Sequence, residues 1–202
     1  MGTNAAAVLV PVKAFAQAKQ RLADVLDATA RRELAMAMAQ TVLHAAGDLR
    51  TAVVCDDHEV RTWAEAQGAE VVWTPGLGLN GAVEAGIAHL ARRGTERVVV
   101  AHADLPLATD LTWLTDSDAA TFVPDRHHDG TNALCIPAGA GFVPAYGAGS
   151  FRVHRAEAAR LGLVARLVPD AALGWDVDVP ADLDVPAHLH PPAYLAGVVA
   201  RS

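Results

Sequence analysis

The sequence predicts an α/β fold in which helices cover both faces of a mostly parallel central sheet. In the first hundred residues, short apolar runs alternate with helical patterns in the order strand, helix, strand, helix, strand, helix, strand, which is typical of such sheets. Hydrophobic residues make up 52% of the 202-residue chain and aromatic residues only 5%, so we expect a conventional core rich in alanine and valine. We therefore expect one α/β domain spanning residues 1–202.

Charge and cysteine content argue against several classes of protein. A formal net charge of −7 disfavours a general nucleic-acid-binding surface but allows a local basic pocket for a phosphorylated ligand. Cys55 and Cys135 form neither a disulfide framework nor a zinc pattern, so we expect a reducing compartment. Because the sequence shows no targeting segment and no apolar run of membrane length, we expect a cytoplasmic protein without a membrane partner.

A cationic loop follows the first predicted strand, residues 5–12. Lys13, Lys19 and Arg21 lie within nine residues of one another, and ammonium and guanidinium groups are the usual partners of a polyphosphate. A solvated helical face is the alternative, because Lys-x-Arg patterns are common on surfaces. No glycine-rich run ends in Gly-Lys-Ser or Gly-Lys-Thr, so an ordinary kinase or ATPase is disfavoured.

A helix and a second strand come next. Residues 27–47 show a helical pattern with Thr29 as the candidate N-cap, and residues 51–55 form the strand. Asp56 and Asp57 follow at its carboxyl end and open another helix. Capping explains this acidic pair better than cation binding, because carboxylates satisfy the free N–H groups at a helix start.

A glycine-rich turn at residues 74–81 separates the third predicted strand, residues 69–73, from an amphipathic helix at residues 82–93. Gly78 lets the backbone of this turn approach a ligand closely. Asn80 offers both a donor and an acceptor, which suits the edge of a base or a ribose. We therefore expect this turn to contribute to a nucleotide-binding site.

The fourth predicted strand, residues 97–101, runs into the sequence His-Ala-Asp-Leu-Pro. Asp104 thus lies near the carboxyl end of a buried strand, at the edge where open α/β sheets bind their ligands. The residue is a candidate metal or substrate ligand, although a turn or a helix cap would use the same aspartate.

The regular alternation ends after this strand. We expect a short helix, strands at residues 119–123 and 133–136, and between these strands a polar loop suited to a substrate pocket. His127 and His128 lie in this loop, but adjacent side chains in an extended loop diverge, so a metal site there is disfavoured.

Another candidate anion site lies at the start of the last predicted helix, residues 150–161. Gly147 and Ser150 lie where a glycine-containing loop enters the helix, and a helix amino terminus attracts anions. A capped helix preceded by a flexible loop is the alternative interpretation.

Two further carboxylates, Asp176 and Asp178, lie two apart in a predicted strand at residues 175–183 and therefore on one face of it. If they were ~4 Å apart they would repel by roughly 4 kcal/mol at an effective dielectric constant of 20, so we expect a cation beside them. Residues 187–202 carry no motif; we expect them to pack on a neighbouring copy, as in a homodimer, or to remain loose.

Five motifs occur in order along residues 6–183. They are Pro-Val-Lys with Ala-Lys-Gln-Arg-Leu, His-Ala-Asp-Leu-Pro, Pro-Asp-Arg with Gly-Thr-Asn-Ala-Leu, Tyr-Gly-Ala-Gly-Ser-Phe with His154, and Asp-Val-Asp-Val-Pro-Ala-Asp-Leu. In order and spacing the chain resembles the guanylyltransferases of coenzyme F(420) biosynthesis, which activate 2-phospho-L-lactate or phosphoenolpyruvate. It departs from them at Ala18, Gln20, Ala148 and Val179, where Gly, Ser, Pro and Thr are usual, and these changes bear on affinity more than on reaction type.

The resemblance implies a glycosyltransferase-A-like nucleotidyltransferase fold, consumption of GTP with release of pyrophosphate, and dependence on Mg²⁺. It also implies that Thr131, Gly147 and Ser150 hold the phosphate of the three-carbon phosphoacid. Asn80 and the loop around Gly78 are implied to face the nucleotide.

Because the reaction joins two anions, we expect cations to dominate the site. Three carboxylates are expected to hold Mg²⁺ against the α-phosphate, since hard oxygen ligands suit this ion: Asp104, Asp176 and Asp178. Three cations are expected to bind the triphosphate and stabilise the departing pyrophosphate: Lys13, Lys19 and Arg21. Arg126 is expected to pair with the carboxylate of the acceptor.

Two alternative functions remain open at this point. Another nucleotidyltransferase of the same fold would act on a molybdenum cofactor or a sugar phosphate, but such enzymes usually open with a Gly-x-x-x-Arg loop, which this sequence lacks. A catalytically silent domain would bind GTP without releasing pyrophosphate. The sequence does not distinguish phosphoenolpyruvate from 2-phospho-L-lactate, because both present the same phosphate and carboxylate.

Overall fold

Seven strands form a single mixed sheet in the computed structural model, which describes residues 6–199. They are Ala6–Pro11 (β1), Arg50–Cys55 (β2), Glu70–Trp73 (β3), Arg97–Ala101 (β4), Ala120–Pro124 (β5), Thr131–Pro137 (β6) and Ala165–Leu167 (β7). Their order is β3-β2-β1-β4-β6-β5-β7. The pairs among the first four strands are parallel, as is β5 with β7, whereas β6 runs antiparallel to both of its neighbours. The predicted mostly parallel sheet is confirmed; residue 5 of the first predicted strand lies outside the described residues.

Helices cover both faces of this sheet. The α-helices of the described region are Ala28–His44 (α1), His58–Ala66 (α2), Gly78–Arg92 (α3), Ser150–Arg160 (α4) and Ala193–Val199 (α5). Short 3-10 helices occur at Phe15–Gln17, Gln20–Leu22, Thr112–Thr115, Pro180–Leu183 and Ala187–Leu189. No helix within residues 6–199 is both long enough and apolar enough to cross a membrane.

Alternate residues of β1 point into two different cores. Val8 and Val10 pack in a cluster that includes α1 and α2, whereas Ala7 and Leu9 pack in a cluster that includes α3 and α4. All four are fully buried, as expected for successive side chains of a strand that is covered on both faces. The sheet therefore lies in the middle of three layers.

A glycine allows α3 to lie directly on the sheet. A Cβ atom at Gly86 would be only 2.7 Å from Leu9 Cδ2 and 2.7 Å from Val54 Cγ1. The absence of a side chain at this position therefore lets the helix approach β1 and β2 closely, which in turn fixes the start of α3 at the carboxyl edge of the sheet.

Two predicted helix starts are wrong. Asp27, not Thr29, caps α1, because its carboxylate accepts a hydrogen bond from the amide of Ala30 at 2.8 Å. Helix α3 begins at Gly78, where φ is +64°, and not at residue 82. Asn80 therefore lies in the first turn of a helix and not on the glycine-rich turn that precedes it.

The tail contains a helix that packs on its own chain. Leu195 of α5 is buried in a third cluster with Leu34 and Met38 of α1. The hydroxyl of Tyr194 lies 3.1 Å from Thr41 Oγ1, also on α1. The expectation of a loose tail is thus wrong for residues 193–199, while a homodimer stays a prediction.

Candidate active site

The carboxyl ends of the parallel strands open onto two adjoining cavities of about 350 and 400 Å³. The first extends toward Lys19, Asp104 and Asp178, and the second toward Asp56 and Thr74. Both are lined by Pro11, Val12, Lys13, Gln17 and Leu79. They form a continuous trough on the edge of the sheet at which α/β folds bind ligands.

Lys19 lies between two of the predicted carboxylates at one end of this trough. Its Nζ atom is 2.7 Å from Asp104 Oδ2 and 3.1 Å from Asp178 Oδ1, and its side chain is only 10% exposed. Arg21 adds a second positive charge, with Nη1 4.0 Å from Asp178 Oδ2. The cationic loop and the carboxylates therefore meet in space, although more than eighty residues separate Lys19 from Asp104.

These contacts keep the cluster ionised. Burial opposes the charge on Lys19, but Asp104 and Asp178 outweigh it and raise its pKa above the ordinary value. Burial likewise opposes the charge on Asp104, but Lys19 and then His102 lower its pKa. For Asp176, burial and then the charge of Asp104 raise the pKa.

The segment that carries Asp176 and Asp178 is not a strand, contrary to prediction. Its amide groups find other acceptors: the amide of Val177 donates to the carbonyl of Asp104 at 3.2 Å. The amides of Asp178 and Val179 donate to Asp182 Oδ2 at 2.6 and 2.7 Å. Val177 is buried, and these acceptors, rather than a neighbouring strand, pair the amides of the segment.

Arg126 holds the same segment in place. Its Nη1 donates to the carbonyl of Asp176 at 3.0 Å, and its Nη2 forms an ion pair with the buried carboxylate of Asp182. The guanidinium also lies 4.5 Å above the ring of Trp175. Nη1 and Nη2 thus each donate within the protein, and the pairing of Arg126 with the acceptor's carboxylate stays a prediction.

The carboxylates suit an open cation site better than a closed one. Asp104 Oδ1 is buried and has no hydrogen-bond partner in the described part of the chain, and the side chain of Asp178 is half exposed. Asp176 Oδ1, in contrast, lies 3.4 Å from Asn132 Nδ2 and 3.6 Å from Arg126 Nη1. Nowhere in residues 6–199 do three or more His, Cys, Asp or Glu side chains converge as a metal-binding group. An open site with Asp104 and Asp178 as its carboxylates fits Mg²⁺, because this ion commonly takes one or two carboxylates and completes its shell with phosphates and water.

The residues implied to bind the acceptor are also brought together. The amide of Thr131 donates to Ser150 Oγ at 3.0 Å, and the amide of Ser150 donates to the carbonyl of Gly147 at 3.1 Å. Both hydroxyl-bearing residues are only 2% exposed. They lie beneath the loop that ends at Gly149 and outside the lining of the two cavities.

The amino terminus of α4 is already capped by the protein, which favours the alternative interpretation of this loop. Asp129 Oδ2 accepts from the amide of Gly149 at 3.0 Å, and the carbonyl of Asp129 accepts from the amide of Phe151 at 3.0 Å. The hydroxyls of Thr131 and Ser150, and not the first amides of the helix, are therefore the groups left for an anion.

Asn80 connects α3 to the loop above the acceptor residues. Its Nδ2 donates to the carbonyl of Tyr146 at 3.2 Å, and its Oδ1 accepts from the amide of Tyr146 at 2.6 Å. The donor and the acceptor expected to face a nucleotide are thus used within the protein. Gly78, by contrast, does line the second cavity.

Three polar residues at the site were not among the sequence candidates. Asp182 and His154 are buried, and Asp129 caps α4. The Pro-Ala-Asp sequence does carry a signal for Asp182, because an acidic residue in the first turn of a helix satisfies free amides. His154 carried no signal beyond its place in a motif.

This chain is similar to known proteins over most of its length, in both sequence and structure. The family described as "Guanylyl transferase CofC like" matches residues 6–190. Phosphoenolpyruvate guanylyltransferase of Sphaerobacter thermophilus is 35% identical over 188 residues, which cover 86% of this chain and 88% of the relative. The enzyme of the same name from Streptomyces coelicolor is 39% identical, with 84% and 87% covered. A crystal structure from Desulfovibrio desulfuricans G20, described as a nucleotide-diphospho-sugar transferase, superimposes with a TM-score of 0.73 at 17% identity over 99% of this chain and 98% of that one, and shows the shared fold.

Proposed function

This chain belongs to the family of CofC-like guanylyl transferases, and we propose that it transfers GMP from GTP to the phosphate of phosphoenolpyruvate or 2-phospho-L-lactate in coenzyme F(420) biosynthesis. An oxygen of the acceptor's phosphate forms a bond to the α-phosphorus of GTP. The bond from the α-phosphorus to the oxygen that bridges to the β-phosphate breaks, and pyrophosphate leaves with that oxygen. No strong general base is required, because the phosphate dianion is already a nucleophile.

The observation that carries this proposal is the ion cluster of Lys19, Asp104 and Asp178 at the end of the trough. A buried lysine held between carboxylates is placed to exchange them for phosphate oxygens when a nucleotide enters. Arg21 lies at the same place, and Lys13 lines both cavities. In the proposed reaction these three cations hold the triphosphate and stabilise the charge that develops on pyrophosphate.

Asp104 and Asp178 are the residues that would hold Mg²⁺, with Asp176 nearby. When bound, the ion supplies neutralising charge at the α-phosphate. The chain's own part is to keep Asp104 ionised and to hold both carboxylates in place, which Lys19 and the hydrogen bonds from the 176–179 segment to Asp104 and Asp182 accomplish. The hydroxyls of Thr131 and Ser150 would orient the acceptor's phosphate together with Gly147.

The test is a turnover assay that offers each phosphoacid with GTP and, separately, with ATP, in the presence of Mg²⁺, and measures pyrophosphate release. We expect release only when a nucleotide and a phosphoacid are both present, and faster release with GTP than with ATP. Binding of GTP without release from any combination would instead identify a silent nucleotide-binding domain. If a sugar phosphate offered with GTP or ATP supports pyrophosphate release and neither phosphoacid does, the chain is another kind of nucleotidyltransferase.

A further inference from the structure

A buried histidine lies directly behind a hydroxyl group that is proposed to hold the acceptor's phosphate. His154, on α4, is 0% exposed. Its Nε2 lies 2.9 Å from the amide nitrogen of Ala145, and its Nδ1 lies 3.0 Å from Thr131 Oγ1. The ring therefore bridges the loop before α4 and the first residue of β6.

The contact with Ala145 fixes the tautomer of the ring. A backbone amide can only donate, so Nε2 accepts and carries no proton. Burial, and then His102, lower the pKa of His154 to about 4 against the opposite effect of Glu157, so the ring is neutral at pH 7. A neutral imidazole without a proton on Nε2 carries it on Nδ1, and Nδ1 consequently donates to Thr131 Oγ1.

This donation decides what the hydroxyl of Thr131 can do. Because its oxygen accepts from His154, its own proton is directed elsewhere, and no protein acceptor for that proton lies within hydrogen-bond distance in residues 6–199. Ser150 has the same arrangement, since its oxygen accepts from the amide of Thr131. Two neighbouring hydroxyls whose oxygens accept internal hydrogen bonds each keep a proton that no described residue accepts. Both residues are only 2% exposed, and these two donors would be available to a phosphate that enters beside them.

On the basis of the proposed function, we propose that His154 is a positioning residue that sets the hydroxyl of Thr131 as a hydrogen-bond donor to the phosphate of the three-carbon phosphoacid. His154 acts through Thr131 and does not touch the substrate. With the opposite tautomer the hydroxyl would donate to Nδ1 and turn its lone pairs toward the phosphate, and binding would weaken.

Two substitutions separate the two ring nitrogens. His154→Asn keeps a side-chain N–H near the position of Nδ1 but has no group that reaches Ala145. His154→Gln places its amide oxygen near the position of Nε2 and leaves Thr131 without a donor.

We expect His154→Gln to raise KM for phosphoenolpyruvate by roughly 10- to 100-fold, the effect of one hydrogen bond to a charged group, with KM for GTP unchanged. His154→Asn should raise KM for phosphoenolpyruvate far less than His154→Gln does. His44→Gln, at an exposed residue at the far end of α1, is the matched control and should behave as the wild type.

A double substitution tests whether the effect passes through Thr131. Thr131→Val removes the hydroxyl and should raise KM for phosphoenolpyruvate to a similar extent. Adding His154→Gln to Thr131→Val should then change KM little further, because both changes remove the same interaction. Equal losses for His154→Asn and His154→Gln, a parallel rise in KM for GTP, or additive effects in the double variant would indicate a merely structural histidine and overturn the proposal.

The tautomer can also be measured without any substrate. Two-bond ¹H–¹⁵N correlation spectra of the full chain at pH 7 should show a protonated Nδ1 and an unprotonated Nε2 for His154, assigned by its loss in His154→Asn. A proton on Nε2 would disprove the inference even if the enzyme turns over as proposed. Conversely, a wild-type protein that uses neither phosphoacid would refute the proposed function and leave the measured tautomer as it is.

Discussion

Asp104 combines two properties at one residue: one carboxylate oxygen is neutralised by Lys19, and the other is buried without a partner in the described residues. This division favours a role in holding an incoming cation, because the free oxygen is poorly solvated where it lies. A helix cap, the alternative that the sequence left open, would instead use this oxygen to accept hydrogen bonds from backbone amides. We therefore regard Asp104 as the central residue of the site.

Replacing Asp104 with Asn should remove activity and leave the fold intact. The amide keeps the shape of the side chain but loses the charge that faces the cation and Lys19, so we expect turnover to fall by roughly 1,000-fold or more, the loss of several kcal/mol of electrostatic stabilisation. Turnover with GTP, phosphoenolpyruvate and Mg²⁺ measures this, with circular dichroism as the check on folding. Asp118→Asn, at an exposed carboxylate, should retain full activity; full activity in Asp104→Asn would refute the assignment.

His154 makes stability depend on pH in a defined window. Its pKa is about 4 in the folded protein against an ordinary value of 6.5, so the unfolded chain binds the proton more readily between these values. Stability is therefore greatest above pH 6.5 and declines as the pH falls toward 4, by at most about 3 kcal/mol from this residue. Urea unfolding across this range should show a shallower decline for His154→Asn than for the wild type.

Two neighbouring charges do not change this sign. The pKa of Glu157 is lowered from 4.5 to about 2, chiefly by its hydrogen bond with Arg160, so the stability it contributes is lost only below pH 4.5 and the loss has the same sign. His102 faces the same cluster and is present in both proteins, so its contribution cancels in the comparison. Identical slopes in the two proteins would show that His154 is not held neutral by the fold.

The meeting of Lys19 with Asp104 follows from the predicted sheet. Both residues come after predicted parallel strands, whose carboxyl ends share one edge, whereas Asp178 joins them from a segment that was expected to be a strand and is not. Asp182 and His154 could not be predicted in this way, because their roles depend on partners that only the fold brings near. The partner of Asp182 is Arg126, 56 positions away, and that of His154 is Thr131, 23 positions away.

Among the elements, short apolar runs predicted strands β1 to β6 to within one or two residues. The hydrophobic pattern fails to predict the correct structure at two places, β7 and residues 175–178. Strand β7 is three residues long with two exposed side chains, so it has no apolar run to detect. The segment at residues 175–178 has the alternation of a strand, but its amides pair elsewhere: that of Val177 donates to the carbonyl of Asp104 and that of Asp178 to the carboxylate of Asp182.

In the proposed reaction, the carboxyl end of β2 is the place at which we expect the base to be recognised. Asp56 lines the second cavity and is exposed, whereas the carboxylate of its neighbour Asp57 caps α2 through the amides of Glu59 and Val60. A free carboxylate accepts from the N1–H and 2-amino groups of guanine, which adenine does not present in the same way. Asp57 therefore confirms the predicted cap, and Asp56 is left for a ligand.

Asp56→Asn should lower kcat/KM for GTP by roughly 10-fold or more, the value of one charge-assisted hydrogen bond, and change that for ATP little. Asp48→Asn, at an exposed residue just before β2 and so at the opposite edge of the sheet, is the control. Measurements of kcat/KM with GTP and with ATP test whether Asp56 recognises the base. An unchanged ratio of GTP to ATP would mean that the base is recognised elsewhere.

At the scale of the whole molecule, the third hydrophobic cluster joins segments that are distant in sequence beneath the active site. It contains Leu22 next to Arg21, Val177 between the two site carboxylates, and Leu195 of the terminal helix. The tail that showed no motif thus supports both the cationic loop and the 176–178 segment. Its role depends on packing against α1, which no local pattern near residue 195 indicates.

Truncating this contact should destabilise the whole chain. Leu195 is 1% exposed, so Leu195→Ala should lower the free energy of unfolding by roughly 2–5 kcal/mol through lost burial and a residual cavity. Val164→Ala, at a side chain that is 76% exposed, should change it by less than about 0.5 kcal/mol. Denaturant unfolding of the two variants tests this, and equal stability would mean that α5 does not pack as described.

In the proposed reaction this chain joins two phosphates, one from GTP and one from a three-carbon phosphoacid. Phosphorus NMR of the purified protein with GTP, phosphoenolpyruvate and Mg²⁺ tests it most directly, because it observes every phosphorus atom at once. We predict that the signals of GTP and phosphoenolpyruvate decline together while pyrophosphate and a pair of coupled diphosphate signals appear in equal amounts. Unchanged signals at high protein concentration with phosphoenolpyruvate and, in a parallel sample, with 2-phospho-L-lactate, or release of pyrophosphate without the coupled pair, would refute the proposed function.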